Sequence, residues 1–147
     1  MRFGRYDFAS FSCFIAYAGC SVVIPVILVQ IARAAGDKKG IRRYGNFLLP
    51  MDEALVLVAL DLSGRPWLGY EIASPAPRVL DIDVRLFHEF FQALCVKAGM
   101  NLHIRKLAGE EVHHVFEAVF KGFAKALDQA VGIDPRIAGV LSTKGSL

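Results

Sequence analysis

Cysteine is scarce in this sequence, and what there is has no pairing logic: Cys13, Cys20 and Cys95 are the whole set. An odd count without a paired spacing excludes a disulfide framework and fits no zinc or redox motif, so the thiols read as reduced. Histidine is also sparse, and none occurs before His88. Charge is absent from Phe8 to Ala32. No arginine-rich tract and no ladder of aromatics among basic residues is present, so nothing points to nucleic acid as a partner. The net charge of +3 is mildly basic and by itself suits an anionic small molecule as well as it suits nucleic acid.

What is present suffices for a folded domain. The 147 residues allow one compact unit, and 54% hydrophobic against 21% charged residues excludes global disorder. The uncharged run from Phe8 to Ala32, preceded by Arg2 and Arg5, has the length of a membrane span or signal anchor. Gly19 and Pro25 interrupt it, no clear small-residue cleavage site follows, and the remainder reads as a soluble enzyme domain. The expectation is an apolar N-terminal helix without membrane association. Residues 1–28 form an unfamiliar apolar segment and residues 29–147 the main domain.

From Asp37 onward the pattern is regular. Gly36 to Gly40 is a turn, and its basic run continues to Arg42 and Arg43. Asn46 to Pro50 reads as a short strand, Ala54 to Asp61 as an aliphatic strand, and Pro66 to Ala73 as its hairpin partner, closed by Pro75 and Pro77. Asp83 is a candidate N-cap for a helix carrying Phe87, Phe90, Phe91 and Leu94 up to Gly99. Asn101 to Leu107 alternates as a strand, with Leu102, Ile104 and Lys106 on one face and His103, Arg105 and Leu107 on the other. Glu110 to Val131 is the longest helix, and Ala138 to Leu147 a loop. The order predicts an α+β fold: one antiparallel or mixed sheet with helices packed on one face.

The chemistry concentrates at His113-His114-Val115-Phe116-Glu117. His113 and Glu117 are four apart, lie on one helix face and can bind one metal ion. His114 points about 100° away, which suggests two metal centres completed by groups from elsewhere. His103, on the preceding strand, is a natural fourth ligand. Imidazole and carboxylate donors suit manganese, iron or zinc, and softness alone does not choose. The plainer reading is a pair of histidines capping a helix or facing solvent. Glu53 reads as a surface carboxylate at a strand start, and His88 as a surface histidine.

Those residues carry a resemblance. Leu102 to Arg105, His113 to Leu127 (HHVFEAVFKGFAKAL) and Ser142 to Gly145 resemble the second half of imidazoleglycerol-phosphate dehydratase. GIRRYG (Gly40 to Gly45), PMDEAL (Pro50 to Leu55) and DLSGRP (Asp61 to Pro66) are similar to that family's blocks, in the same order. The resemblance implies two similar halves, each a sheet with two helices, and two Mn2+ ions between halves of different subunits. It implies His103, His113, His114 and Glu117 as metal ligands, and Arg43, Arg65, Ser142 and Lys144 around the substrate phosphate. It further implies a cytoplasmic hydro-lyase of histidine biosynthesis, a phosphorylated imidazole substrate and a homo-oligomer of about twenty-four subunits. Arginine forks match phosphate oxygens independently of the likeness, and a Ser-Thr-Lys-Gly segment offers a hydroxyl, backbone N–H groups and an ammonium.

The likeness stops short of the first half. The family's other HHxxED motif belongs shortly before Gly36, where this chain has CSVVIPVILVQIARAA (Cys20 to Ala35). Residues 1–28 therefore read as a shifted frame or a truncated gene model, in preference to a membrane anchor or an unusual buried helix. The catalytic acid or base is left unassigned, because the resemblance puts that glutamate in the first half. Two other readings stay open: a truncated, non-catalytic remnant that keeps the fold or assembles, and a protein- or RNA-binding module on the same architecture.

Overall fold

The computed structural model of the chain describes residues 37–142. The apolar N-terminal helix expected before residue 28, Cys13, Cys20 and Lys144 lie outside the described residues. Eight elements follow in order: β1 (Tyr44–Met51), β2 (Ala54–Asp61), β3 (Trp67–Glu71), β4 (Arg78–Val79), β5 (Ile82–Asp83), α1 (Arg85–Ala98), β6 (Asn101–Ala108) and α2 (Val112–Val131).

A four-stranded sheet has the order β1-β2-β6-β3. β1 and β2 form an antiparallel hairpin in which Met51 faces Ala54, and β6 runs antiparallel to β2 with Val58 opposite Ile104. β3 lies outside β6 and parallel to it. The sheet is therefore mixed, with both helices on one face, as expected from the element order. One pairing differs from expectation. Residues 67–71 are not the hairpin partner of β2, because β6 occupies that edge. Alternation identifies a strand but not its neighbour. The α1 helix between β3 and β6 supplies the crossover that a parallel pair requires. The stretch expected only as a proline-closed break contains the small hairpin β4–β5.

The inward residues of the sheet are those the sequence pattern marks as apolar. Val56, Val58, Leu60, Leu102 and Ile104 are buried against Phe90, Phe91, Leu94, Val119 and Phe123 of the two helices. Phe87 stacks on Phe116 with centroids 4.5 Å apart, and Phe91 lies 5.2 Å from Phe120. These rings fill the seam between α1 and α2. Among the described residues the other face of the sheet is uncovered: Leu48, Leu57 and Leu107 are exposed beside His103 and Arg105.

Ends of the helices explain how the site residues are held. α1 stops at Gly99, whose φ of +59° suits a residue without a side chain. Its cap is Val84 rather than Asp83, and the Asp83 carboxylate instead accepts the backbone N–H and the guanidinium of Arg85. α2 begins one residue after its cap, Glu111, whose carboxylate accepts the N–H of His114 at 2.7 Å. At the far end, residues 40–43 form a strap under the helix. The Arg42 N–H donates to the Gly132 carbonyl and the Arg43 N–H to that of Ala130, satisfying acceptors the helix leaves open.

Candidate metal and phosphate sites

The first turn of α2 meets the β1–β2 turn, and polar groups of both converge there. His113 Nε2 lies 3.1 Å from Glu117 Oε2, one helical turn on, and Lys121 Nζ lies 2.6 Å from the other carboxylate oxygen. Burial works against ionisation of Glu117, but Lys121 and His113 outweigh it and hold the carboxyl below its ordinary range. His114 faces away from this trio, as the helical period requires, and its ring centroid is 6.4 Å from that of His113. Its Nδ1 sits 2.8 Å from Glu53 Oε2, and its Nε2 is 3.5 Å from Asp52 Oδ2. The hydrogen bond that the imidazole donates to Glu53 raises the pKa of His114 above the usual imidazole value, and the same bond lowers Glu53 to about 2. The other Glu53 oxygen accepts the N–H of Glu111 at 2.9 Å, so one carboxylate ties the β1–β2 turn both to the helix cap and to the histidine.

His103 does not join this group. It is exposed on the open face of the sheet, opposite the helices, and pairs in register with Ala59 and Gly69. Gly69 leaves the room its imidazole takes, since a Cβ there would lie 2.5 Å from Nδ1. Among the described residues, no three His, Cys, Asp or Glu side chains are gathered into a ready metal cage. The expectation that His103 completes the ligand set of the helix is therefore not met within one chain.

The cationic residues gather at the opposite end of the hairpin. Arg43 precedes β1 with a φ of +71°, and its guanidinium grips Asp61 bidentately at 2.6 and 3.0 Å. A third nitrogen donates to the Leu141 carbonyl at 2.6 Å, which brings Ser142 alongside. That hydrogen bond to Asp61 raises the Arg43 pKa further, so the group is a permanent cation. Arg65 is exposed in the Ser63-Gly64-Arg65-Pro66 turn, where its N–H donates to Ser63 Oγ and its carbonyl accepts from Asn101. Arg43, Arg65 and Ser142 thus share one end of the sheet.

β1 separates the two groups. Seven residue steps from Tyr44 to Met51, at about 3.3 Å each, put the cationic end and the histidine end roughly 23 Å apart. A small molecule cannot touch both ends in one chain.

The family model described as imidazoleglycerol-phosphate dehydratase matches residues 25–127. The chain belongs to the imidazoleglycerol-phosphate dehydratase family. The dehydratase of Lachnoclostridium phytofermentans is 57% identical over 123 residues, 83% of this chain and 63% of that protein. That of Heliobacterium modesticaldum is 58% identical over 118 residues, covering 80% and 60%. A chloroplastic dehydratase of Arabidopsis thaliana is 53% identical over 118 residues, covering 80% and 44%. Among solved dehydratases, the Staphylococcus aureus structure superposes with a TM-score of 0.71 at 35% identity, over 76% of this chain and 67% of that one. The Pyrococcus furiosus structure gives 0.73 at 33%, over 84% and 69%. The chain spans less than two thirds of the length of these first two relatives.

Several groups escaped the sequence reading. Glu53 is at the surface, as its place at a strand start suggests, and it is also the hydrogen-bond partner of His114. Lys121 and Asp61 were not singled out, and they neutralise Glu117 and Arg43. Spacing could have suggested Lys121, four residues after Glu117, whereas the contacts of Glu53 and Asp61 depend on the fold. His88 is exposed as expected, edge-on to Tyr70 with centroids 5.3 Å apart.

Proposed function

We propose that the chain works as the second half of an imidazoleglycerol-phosphate dehydratase, a hydro-lyase that takes imidazoleglycerol phosphate to imidazoleacetol phosphate. The observation that carries this is the geometry at His113 and Glu117. Their donor atoms, 3.1 Å apart, span the separation of adjacent ligands around an ion bound at about 2.1 to 2.2 Å, which suits a first-row divalent metal. His114, fixed through Nδ1 by Glu53, keeps Nε2 as the donor to a second ion. The donor set therefore suits manganese, which His113 and Glu117 would hold together and His114 would hold separately. The family likeness adds His103, from another copy of the sheet face.

When bound, the metal supplies Lewis-acid stabilisation of the negative charge that develops on the imidazole ring. The protein's own part is orientation. Lys121 balances Glu117, and Glu111 and Glu53 hold the backbone and ring of His114. Arg43, steadied by Asp61, together with Arg65, Ser142 and Lys144, anchors the phosphate so that binding energy becomes alignment. The roughly 23 Å between the two ends implies that each substrate is shared by different copies or halves. A homo-oligomer, about twenty-four subunits in the family likeness, and a cytoplasmic setting follow from this reading. Among the described residues no helix is long and apolar enough to cross a membrane.

The same separation supports a second reading: a module that keeps the fold without turnover of its own. One experiment divides them. The full chain is assayed for imidazoleacetol phosphate with added manganese, alone and mixed with a polypeptide carrying the first half of a relative. Turnover that appears with the added half supports the dehydratase reading. No turnover in either mixture, together with no manganese binding, leaves the non-catalytic module.

A further inference from the structure

Lys38 holds a conformation that lysine rarely adopts, and its side chain reaches a place where one negative charge is already taken. Its φ is +59°, in the left-handed region that strains a residue with a side chain. That backbone turn directs the amine inward, and Nζ donates to the Leu62 carbonyl at 3.3 Å. The Leu62 N–H in turn donates to the Arg43 carbonyl, and Leu62 is followed directly by the Ser63-Gly64-Arg65 turn. Lys38 therefore bridges the two segments that carry Arg43 and Arg65.

The charges there do not cancel. Asp61 is the acid within electrostatic reach of Lys38, and Arg43 occupies both of its oxygens. The neighbouring Asp37 pairs with Lys39 at 3.0 Å. Burial lowers the pKa of the Lys38 ammonium and the Arg43 charge lowers it further, against the opposing pull of Asp61. An ammonium held in a strained turn, partly desolvated beside a guanidinium, is a poor arrangement for stability alone. It is a good one for an anion with several oxygens and two charges.

We infer that Lys38 is a further cation of the phosphate subsite, recognising a phosphate monoester together with Arg43 and Arg65. This rests on the phosphate reading of Arg43, Arg65 and Ser142.

The full chain is titrated with inorganic phosphate, followed by calorimetry or by 31P line broadening. Glycine adopts positive φ freely, so Lys38→Gly removes the amine while relieving the backbone, and it folds at least as well as the parent. Phosphate affinity should fall about tenfold, the scale of one hydrogen bond between charged groups. Lys38→Arg should keep most of it. Arg65→Gln is the control. If Arg65→Gln weakens phosphate while Lys38→Gly binds as tightly as the parent, Lys38 is a structural cation only and the inference is overturned. If neither variant changes binding, or the parent binds no phosphate, the phosphate reading itself fails. Should Lys38→Gly not fold, Lys38→Asn serves in its place, since asparagine tolerates the same backbone region; unchanged binding there is equally decisive.

Discussion

Gly45 lies so close under Ala126 that a Cβ on the strand residue would sit 1.8 Å from the carbonyl oxygen of the helix residue. No side-chain rearrangement can relieve that contact, because both sides of it are backbone. The strand can be this near only where it has no side chain, and the approach seats α2 on β1. Gly45→Ala should therefore push α2 away and cost about 3 kcal/mol, at the upper end for overpacking. A urea midpoint within experimental error of the parent would rule this out.

Glu53 holds His114 from a different element, the β1–β2 turn. Carboxylate partners of metal-binding imidazoles set ring orientation, and their loss lowers metal affinity by roughly 10- to 100-fold. Glu53→Ala should show that loss in a manganese titration of the complemented assembly. Thermal stability measured without metal should change much less. Equal manganese affinity in parent and variant would remove Glu53 from the site.

The Tyr70 hydroxyl is buried and has no hydrogen-bond partner among the described residues. Burial raises its pKa far above the usual phenol value. A buried hydroxyl without a partner is a cost, so Tyr70→Phe should be neutral or stabilising by about 1 kcal/mol. A loss of stability instead would mean that the hydroxyl has a partner in the complete assembly.

Asp83 accepts both the backbone N–H and the guanidinium of Arg85, and the guanidinium hydrogen bond lowers its pKa from 3.8 to about 2. A carboxyl lowered on folding contributes stability above its unfolded pKa and loses that contribution as pH falls through the folded one. The contribution of this pair is thus complete above 3.8 and fades toward pH 2. A 13C titration of the Asp83 carboxyl should place its midpoint near the lower value. Arg85→Gln should move the midpoint up. A parent midpoint at the ordinary aspartate value would contradict the pairing.

The element order, the two helices and the buried stripe were legible because periodicity reports which face of an element is apolar. Val56, Val58 and Leu60 alternate, and Phe87, Phe91 and Leu94 recur at helical spacing. The helical period also sets His113 and His114 on different faces of α2. The neighbour of β3 was not legible, because Trp67 to Glu71 alternates equally well beside β2 or β6. Nor was the side of the sheet on which His103 faces relative to α2. Alternation put His103 opposite Leu102, but proximity in sequence suggested a ligand that the sheet keeps apart from the helix. Contacts between distant segments, such as Glu53 with His114 and Arg43 with Asp61, depend on register and turn geometry that local pattern does not encode.

β6 sits between β2 and β3, although both of those strands precede it in the chain. During synthesis the hairpin can close early, but β3 has no edge to join until residues 101–108 have left the ribosome. Folding of this unit should therefore be all-or-none and comparatively slow, since its central pairings span long loops. A chain halted before residue 101 would expose two unpaired strand edges, a ready template for aggregation.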